Sequence, residues 1–320
     1  MRLQLYCLTS NCHRGVANMQ VHTNMKSIGQ PPVIIFLILV LLTLVVGCAP
    51  EAGPSGKSQT LMLFATSSDV ALGTARIPLS IRMIDGGRLE DMADLLEVTY
   101  SPPDSDEIRL VRDLKWRAWP IHGGGYTANM TFDQVGFWSI KVRSLKDDSL
   151  FSTGSGILVK SSTDAPDIGD SAPLTPTKII LPGGNLRAIT SAPDPDPDLY
   201  RISFDEAVST GLPTVISFST PGYCQSATCG PQIEVLSQLD NAYQGRAHFI
   251  HVEIFDNPEE MLENGDPSIG VEAPVVYEWG FHTEPWTFII DQSGTVVGRF
   301  EGFVTGMEIE EYLLPALFGT

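Results

Sequence analysis

Apolar and polar residues alternate along residues 59–160, and turn-forming residues interrupt the alternation at regular intervals. A period of two is typical of half-buried β-strands, while glycine, proline and aspartate mark the turns between them. The pattern predicts seven strands, at residues 59–66, 75–84, 95–101, 107–116, 124–132, 137–145 and 150–160. Short strands separated by turns at this spacing predict an antiparallel β-sandwich.

After residue 199 the pattern changes to alternating helices and strands. Ser203 is a good helix N-cap and Gly211 a good helix end, so a short helix is predicted between them. The apolar spacing predicts a longer helix from Pro231 to Tyr243. The other predicted elements are strands at 213–219 and 248–255, a hairpin of strands at 286–291 and 295–300, and a closing helix at 307–318. This order predicts an α/β domain over residues 199–320.

The two parts are joined by residues 161–198, which are rich in proline and aspartate and are predicted to form an extended linker. In the N-terminal part, residues 125–142 carry Tyr126 and Trp138 on a predicted hairpin. This segment resembles the penultimate hairpin of immunoglobulin-like envelope domains, in which a tyrosine and a tryptophan cap the core between the sheets. The predicted fold is therefore an immunoglobulin-like β-sandwich over residues 59–160, followed by the α/β domain.

Residues 33–46 form an apolar run whose only polar side chain is Thr43. A membrane-spanning helix needs about 20 apolar residues, so this shorter run fits the hydrophobic part of a signal peptide better. Gly47 and Cys48 follow it, and the segment resembles a bacterial lipoprotein box, in which the cysteine is lipidated and becomes the mature N-terminus. The alternative is a signal anchor in which the cysteine is incidental.

The lipoprotein hypothesis divides the N-terminal segment into three parts. Met25 and Lys26 supply the start and the positive charge of such a signal, so residues 1–24 are expected to be an upstream extension and residues 25–47 the signal peptide. Residues 48–58, rich in proline, glycine and serine, are expected to be a flexible tether. The protein is then expected in the cell envelope, held to the outer face of the plasma membrane or in the periplasm by lipid at its N-terminus.

The chain of 320 residues has a formal net charge of −18, and this length is sufficient for two domains with separate cores. Residues 1–47 contain three basic and no acidic residues, so the remaining residues carry 17 basic against 38 acidic side chains, a charge of −21. Such an acidic surface repels phosphates, and no basic run with interleaved aromatic residues is present. Nucleic acid is therefore not an expected partner, and no cofactor is expected either.

Two of the five cysteines remain once the N-terminal segment is accounted for. Cys7 and Cys12 lie in the expected upstream extension, and Cys48 is the expected lipidation site. Cys224 and Cys229 are left in the expected mature chain. Because the envelope permits disulfides, an isolated close pair there indicates either a redox centre or a structural bridge.

The segment around this pair resembles the thioredoxin superfamily over residues 199–320. A predicted strand runs into a loop that carries Cys224, and Cys229-Gly-Pro then leads into a helix. Further along, Glu284-Pro285 precedes the predicted hairpin, at the place where thioredoxin-like folds set a cis-proline against the disulfide. The resemblance implies that Pro285 is cis and that the two cysteines form a redox-active pair.

The cysteine spacing departs from the Cys-x-x-Cys that is usual in this family. Five helical steps place two Cα atoms about 7.5 Å apart along the helix axis, beyond the roughly 6.8 Å limit for a disulfide. Residues 221–229 are therefore expected to form a loop, with Pro231 in the first turn of the helix. In the family's usual motif the first cysteine attacks, which implies that Cys224 is the attacking thiol and Cys229 the resolving thiol. The helix dipole could favour the reverse, because Cys229 is expected to lie nearer the helix N-terminus.

Three further positions bear on the proton chemistry. Ser217 stands where thioredoxins carry a buried acid, so the usual internal proton acceptor is missing. Glu253 could substitute as a base if it faces the cysteine pair, the alternative being a solvated or paired acid at a strand end. His282, three residues before Pro285, could lie beside the disulfide, the alternative being a histidine with a structural role.

These observations leave three hypotheses for the function. The leading one is a thiol–disulfide oxidoreductase of the envelope, which acts on thiols or disulfides of exported proteins through a mixed disulfide. The second is copper handling, because Sco-type proteins share this fold and use two cysteines and a distant histidine, here Cys224, Cys229 and His282. The third is a binding lipoprotein in which the disulfide only stabilises the loop and the β-sandwich recognises the ligand.

Overall fold

The computed structural model describes residues 60–120, 123–152 and 154–319. The expected upstream extension, signal peptide, tether and lipidation site at Cys48 lie outside these residues. Within the described part of the chain, no helix is both long enough and apolar enough to cross a membrane.

The N-terminal part consists of two β-sheets whose apolar faces enclose one core. The first sheet contains, in spatial order, β1 (Leu61–Ala65), β3 (Gly73–Met83), β7 (Gly124–Phe132) and β6 (Lys115–Ala118). The second contains, in spatial order, β2 (Val70–Ala71), β9 (Ser155–Lys160), β8 (Gly136–Ser144), β4 (Leu96–Ser101) and β5 (Arg109–Leu110). Every strand pair is antiparallel except β2 with β9. The predicted β-sandwich is confirmed.

Tyr126 and Trp138 are both fully buried between the two sheets, as the hairpin pattern predicted. The polar group of each side chain also has a hydrogen-bond partner. The Tyr126 hydroxyl donates to the Leu89 carbonyl at 2.6 Å, and the Trp138 indole N–H donates to the Gln134 carbonyl at 2.9 Å. Large aromatic side chains can be buried at little polar cost when their N–H or O–H finds such a partner.

Six of the seven predicted strands of the sandwich have counterparts, five of them at nearly the predicted bounds. The sixth, predicted at 150–160, begins only at Ser155. The prediction of one continuous strand at 107–116 was wrong. This segment forms two short strands, because the chain crosses there from one sheet to the other. It pairs with β4 as β5, leaves the second sheet, and joins the first sheet as β6. The two-residue strand β2 was not predicted, since two residues are too few to show an alternation.

The C-terminal part is built on a four-stranded mixed sheet. In spatial order its strands are β11 (His248–Glu253), β10 (Thr214–Ser219), β12 (Trp286–Ile290) and β13 (Val296–Glu301). Strands β10 and β11 are parallel and the other two pairs are antiparallel. The helices are α1 (Phe204–Ser209), α2 (Cys229–Ala242), α3 (Pro258–Asn264), α4 (Pro274–Trp279) and α5 (Gly306–Phe318). This is the α/β architecture that the sequence predicted.

The central strands of this sheet are buried on both faces, which explains why they lack alternation. Phe218 and Phe288 pack on one face against Trp279 of α4. On the other face, Val215 and Ile289 belong to the apolar cluster formed with helices α2 and α5. A strand covered on both sides has no polar face, so its sequence reads as a continuous apolar run.

Two features of the helices differ from the prediction. Helix α2 begins at Cys229, two residues before the predicted start at Pro231. The long connection between β11 and β12 contains α3 and α4, which were not predicted. Both begin with a proline and end at a glycine with positive φ, Gly265 and Gly280, so their signals were present although each helix is too short to show clear periodicity.

The linker predicted at 161–198 is anchored to the C-terminal domain at several points. Ala165 and Ala172 are buried in that domain's core. The Gly169 N–H donates to the carbonyl of Val296, and the Ala172 N–H donates to the carbonyl of Gly294, at 2.9 and 3.0 Å. Around Ser171 the linker therefore lies beside the β12–β13 hairpin, where an isolated β-bridge with Thr295 and backbone hydrogen bonds hold it in place.

Buried ion pairs join the β-sandwich to the C-terminal domain. The Glu308 carboxylate, 2% exposed in the first turn of α5, accepts from Arg76 Nε at 2.9 Å and lies 3.3 Å from Arg117 Nε. Burial acts to raise the pKa of Glu308, but the two guanidinium groups outweigh it and hold the pKa below its usual value. A second pair joins Asp69 of the sandwich to Arg299 on β13. The two domains thus share buried charges that neither could leave unpaired.

Candidate functional site

Cys224 and Cys229 form a disulfide between the end of β10 and the start of α2, with their Cα atoms 6.0 Å apart. As predicted, the residues between them are not helical, and Pro231 lies in the first turn of α2. Ala227 has a φ of 58°, a left-handed conformation that turns the loop back toward the helix. This turn allows the wider spacing to close where two residues of a regular helix would be too far apart.

The two cysteines differ in exposure and in their polar contacts. Cys229 is fully buried, whereas Cys224 is half-buried. The Cys229 backbone N–H, at the N-terminus of α2, points at Cys224 Sγ at 3.3 Å, and the Ser226 hydroxyl lies 3.3 Å from the same sulfur. Free N–H groups at a helix N-terminus favour a thiolate. The dipole argument therefore favours Cys224, in agreement with family position, although Cys229 is the residue inside the helix.

Pro285 follows a cis peptide bond, as the resemblance implied. The residue is buried, and its carbonyl accepts a hydrogen bond from the Gly302 N–H at 2.8 Å. This bond joins the loop before β12 to the loop after β13.

Glu284, which the sequence analysis did not identify as a site residue, is the acid next to the disulfide. A carboxylate oxygen of Glu284 and the sulfurs of Cys224 and Cys229 all lie within 4.8 Å of one another. The carboxylate accepts the Thr220 backbone N–H at 2.5 Å. Burial raises the pKa of Glu284 to about 7, the hydrogen bond from Thr220 opposes this rise, and the charge of Glu253 adds to it. The available signal was an acid directly before the predicted cis-proline.

Glu253 lies behind the cysteine loop and is not a member of that cluster. It is 5% exposed, and its Oε2 accepts the N–H of Ser191 at 2.8 Å and the hydroxyl of Ser191 at 2.6 Å. Burial raises its pKa, while these hydrogen bonds from Ser191 act to lower it. Ser191 Oγ also accepts the Gly222 N–H at 3.0 Å. Glu253 thus contacts the cysteine loop through the linker, and its predicted role as a base facing the sulfurs has no support from this geometry.

His282 is exposed and does not join the cluster of Cys224, Cys229 and Glu284. Among the described residues, the set of Cys224, Cys229 and His282 expected of a copper site is therefore not assembled, and a carboxylate occupies the position beside the sulfurs. The geometry accordingly gives no support to the copper-handling alternative.

Ser217 and His251 fill polar positions in the centre of the domain. Ser217 is fully buried, and its hydroxyl lies 3.1 Å from that of Thr287, so a pair of hydroxyl groups stands where the sequence analysis expected a missing buried acid. The His251 ring contacts the Tyr200 hydroxyl at 2.7 Å and the Ser219 hydroxyl at 3.1 Å. Complete burial lowers the pKa of His251 to about 4, so it is neutral at physiological pH and serves as a hydrogen-bonding residue of the core.

Comparisons with known proteins give a family assignment for the C-terminal domain. The family model described as a thioredoxin-like domain matches residues 200–316. A search of curated protein sequences found no significant match.

Three solved structures are similar to parts of the chain. One is a Chlorobium tepidum protein provisionally described as the thiol:disulfide interchange protein DsbE, at 16% identity and a TM-score of 0.33, covering 48% of this chain and 99% of that one. Another is a thioredoxin-family thiol:disulfide interchange protein from Chlorobium tepidum TLS, at 18% identity and a TM-score of 0.29, covering 46% and 99%. The Lin-41 filamin domain matches at 10% identity and a TM-score of 0.23, covering 32% and 95%. Because these scores are low, the assignment rests on the family model and on the strand order.

Proposed function

Because residues 200–316 are a thioredoxin-like domain with a disulfide at the start of its second helix, we propose that the protein is a thiol–disulfide oxidoreductase acting on protein substrates. The observation that carries the proposal is the asymmetry of the site. Cys224 is accessible and receives a helix N-terminal N–H, Cys229 is buried, and Glu284 lies beside both sulfurs. A disulfide that only stabilised a loop would need none of these features.

The exchange proceeds in two balanced steps. In the reductive direction the Cys224 thiolate attacks a substrate disulfide, forming a mixed disulfide and releasing one substrate thiolate. Cys229 then gives its proton to Glu284 and attacks Cys224 Sγ, which restores the Cys224–Cys229 disulfide and releases the second substrate thiolate. Two electrons pass to the substrate, and the oxidative direction is the reverse. Glu284 suits the proton transfer because its pKa of about 7 allows it to exchange a proton near neutral pH.

The reduction potential of the Cys224–Cys229 pair separates this proposal from the structural alternative. Thiol labelling across glutathione ratios is expected to give a midpoint between about −120 and −270 mV, the range of exchange catalysts. A midpoint below about −300 mV would mark a structural disulfide and contradict the proposal.

A trapping experiment assigns the roles of the two cysteines. Cys229→Ser is expected to accumulate a mixed disulfide on Cys224 with a peptide disulfide, visible as an adduct by mass spectrometry, because no resolving thiol remains. Cys224→Ser is the matched control and should accumulate far less adduct, since its remaining thiol is buried. Equal trapping by both variants would contradict the assignment of Cys224 as the attacking residue.

We also propose that the protein is a lipoprotein of the cell envelope, so that its substrates are exported proteins. The apolar run at 33–46 and the Gly47-Cys48 sequence support this location. Metabolic labelling with a radioactive fatty acid is expected to label the full chain and not Cys48→Ser. Label of equal strength on both would contradict lipidation at Cys48.

A further inference from the structure

Two hydrogen-bonded loops of the thioredoxin-like domain hold the acid that lies beside the disulfide. The first, residues 283–285, carries Glu284 and the cis-proline. The second, residues 302–304, is bonded to the first through the Gly302 N–H and the Pro285 carbonyl. It is also bonded to α2, because the Val304 N–H donates to Gln232 Oε1 at 2.9 Å. The position of Glu284 against the sulfurs therefore depends on what holds these two loops.

The β-sandwich holds the first loop through a shared carboxylate. Glu301, at the end of β13, is 9% exposed. Its Oε2 accepts the Ser68 backbone N–H at 2.7 Å, and its Oε1 accepts the Ser68 hydroxyl at 2.5 Å. The Thr283 hydroxyl donates to the same Oε1 at 2.7 Å. One carboxylate thus joins the sandwich to the residue directly before Glu284.

The β-sandwich also holds the second loop. Arg76 Nη2 donates to the Phe303 carbonyl at 3.1 Å, while Nε of the same residue pairs with Glu308. The Trp119 ring lies against the Phe303 ring, with centroids 5.4 Å apart. Charge-assisted hydrogen bonds and ring contacts of this kind restrict a loop more than an apolar contact alone would.

We infer that the β-sandwich is a positioning element of the redox site, and that Ser68, through Glu301 and Thr283, fixes the loop that places Glu284 beside the cysteines. The inference rests on the proposed exchange activity and goes beyond it, because it gives the N-terminal β-sandwich a role in the chemistry of the thioredoxin-like domain. Ser68 touches neither sulfur nor substrate. It acts by limiting the movement of the loop, and small misplacements of a reacting group are costly in rate.

The test uses the full-length chain in detergent and compares Ser68→Ala with Ser155→Ala. Both remove a hydroxyl from the sandwich, but Ser155 only accepts the Ala65 N–H, at 3.2 Å, and contacts neither loop. Ser68→Ala is expected to lower kcat/KM for exchange with a peptide disulfide by about three- to tenfold and to shift the pH inflection of Cys224 alkylation in the reduced protein. Thr283→Val, which removes the next bond along the same path, should reproduce both effects.

Ser155→Ala should change neither quantity, and the thermal midpoints of both serine variants should stay close to that of the natural chain. The inference is overturned if Ser68→Ala matches Ser155→Ala in rate and in pH profile. Absence of exchange by the natural chain would instead contradict the proposed function. The alkylation profile, which needs no substrate, would still show whether Ser68 affects the site.

Discussion

Two glutamates near the cysteine loop, Glu253 buried and Glu284 half-buried, differ in what surrounds them. Glu284 lies within 4.8 Å of the sulfurs and has one backbone hydrogen bond, from Thr220. Glu253 lies behind the loop and receives two hydrogen bonds from Ser191. Burial raises the pKa of both, and the charge of Glu253 raises that of Glu284 further. Only Glu284 combines a raised pKa with access to the reacting thiols.

Replacement of Glu284 by glutamine should slow the second step of exchange. Loss of the proton acceptor is expected to lower the rate at which Cys229 resolves the mixed disulfide by roughly a hundredfold at neutral pH. Rapid quenching followed by mass spectrometry measures this rate directly. Glu253→Gln is the matched control. It removes the charge that raises the pKa of Glu284, so the resolution rate should keep its dependence on pH but reach its midpoint at a lower pH. An unchanged resolution rate in Glu284→Gln would contradict the assigned role.

The pKa of Glu284 also predicts a dependence of stability on pH. Because its pKa is about 7 in the folded chain against an ordinary 4.5, the folded state binds more protons between these values. Its contribution to stability is fully present below pH 4.5 and is lost as the pH rises through about 7. Urea unfolding over this range should show the natural chain losing stability relative to Glu284→Gln. A constant difference between the two proteins would contradict the raised pKa.

Two short helices of the C-terminal domain end at glycines that have different surroundings. Helices α3 and α4 both end at a glycine with positive φ, Gly265 at 64° and Gly280 at 68°. A Cβ at Gly265 would meet open space, whereas a Cβ at Gly280 would lie 2.3 Å from the carbonyl oxygen of Asp164 in the linker. Gly265 is therefore needed only for its backbone conformation, and Gly280 is also needed for space.

Alanine at these two positions should separate the two effects. Gly265→Ala is expected to cost about 1 kcal/mol of unfolding free energy, from the left-handed backbone alone. Gly280→Ala should cost about 1–3 kcal/mol more, because the linker must move away from the end of α4. Chemical denaturation of both variants measures the difference. Equal losses would indicate that the linker is not held against α4.

At the scale of the whole molecule, buried charges make the two domains dependent on each other. Glu308 accepts from Arg76 and lies close to Arg117, both on the sandwich, while Thr305 and Glu308 together cap α5. Removing one partner of a buried ion pair is costly because the other charge stays buried and unpaired. Stability of the sandwich and of the thioredoxin-like domain is therefore expected to be coupled.

Glu308→Gln tests this coupling, because glutamine keeps the helix cap and removes the charge. It is expected to lower the unfolding free energy by about 3 kcal/mol and to split a single calorimetric transition into two. Glu310→Gln, on the same helix but bonded to Tyr243 within its own domain, should leave one transition. Since the folded pKa of Glu308 lies below its usual 4.5, its contribution is present above pH 4.5 and is lost as the pH falls further. Separate transitions in the natural chain would contradict the coupling.

Much of the architecture follows from the sequence because its causes are local. Alternation with a period of two, or an apolar run bounded by turn residues, is imposed by which face of a strand meets the core. The two-part order and the alternation of helices and strands after residue 199 were predicted in this way. The non-helical cysteine loop was predicted from the reach of a disulfide, and the cis bond before Pro285 was implied by the resemblance to thioredoxins. The cysteine pair itself was evident from spacing and family resemblance.

Only the tertiary structure decided which groups meet at the site. Glu284 rather than Glu253 or His282 lies beside the sulfurs, because the loop before β12 folds onto the cysteine loop while the end of β11 lies behind it. The accessible sulfur at the helix N-terminus belongs to Cys224, which precedes the helix in sequence. The linker and the sandwich reach the site through bonds between residues as distant as Ser68 and Glu301. Such contacts depend on how whole elements pack, and no periodicity in the chain encodes them.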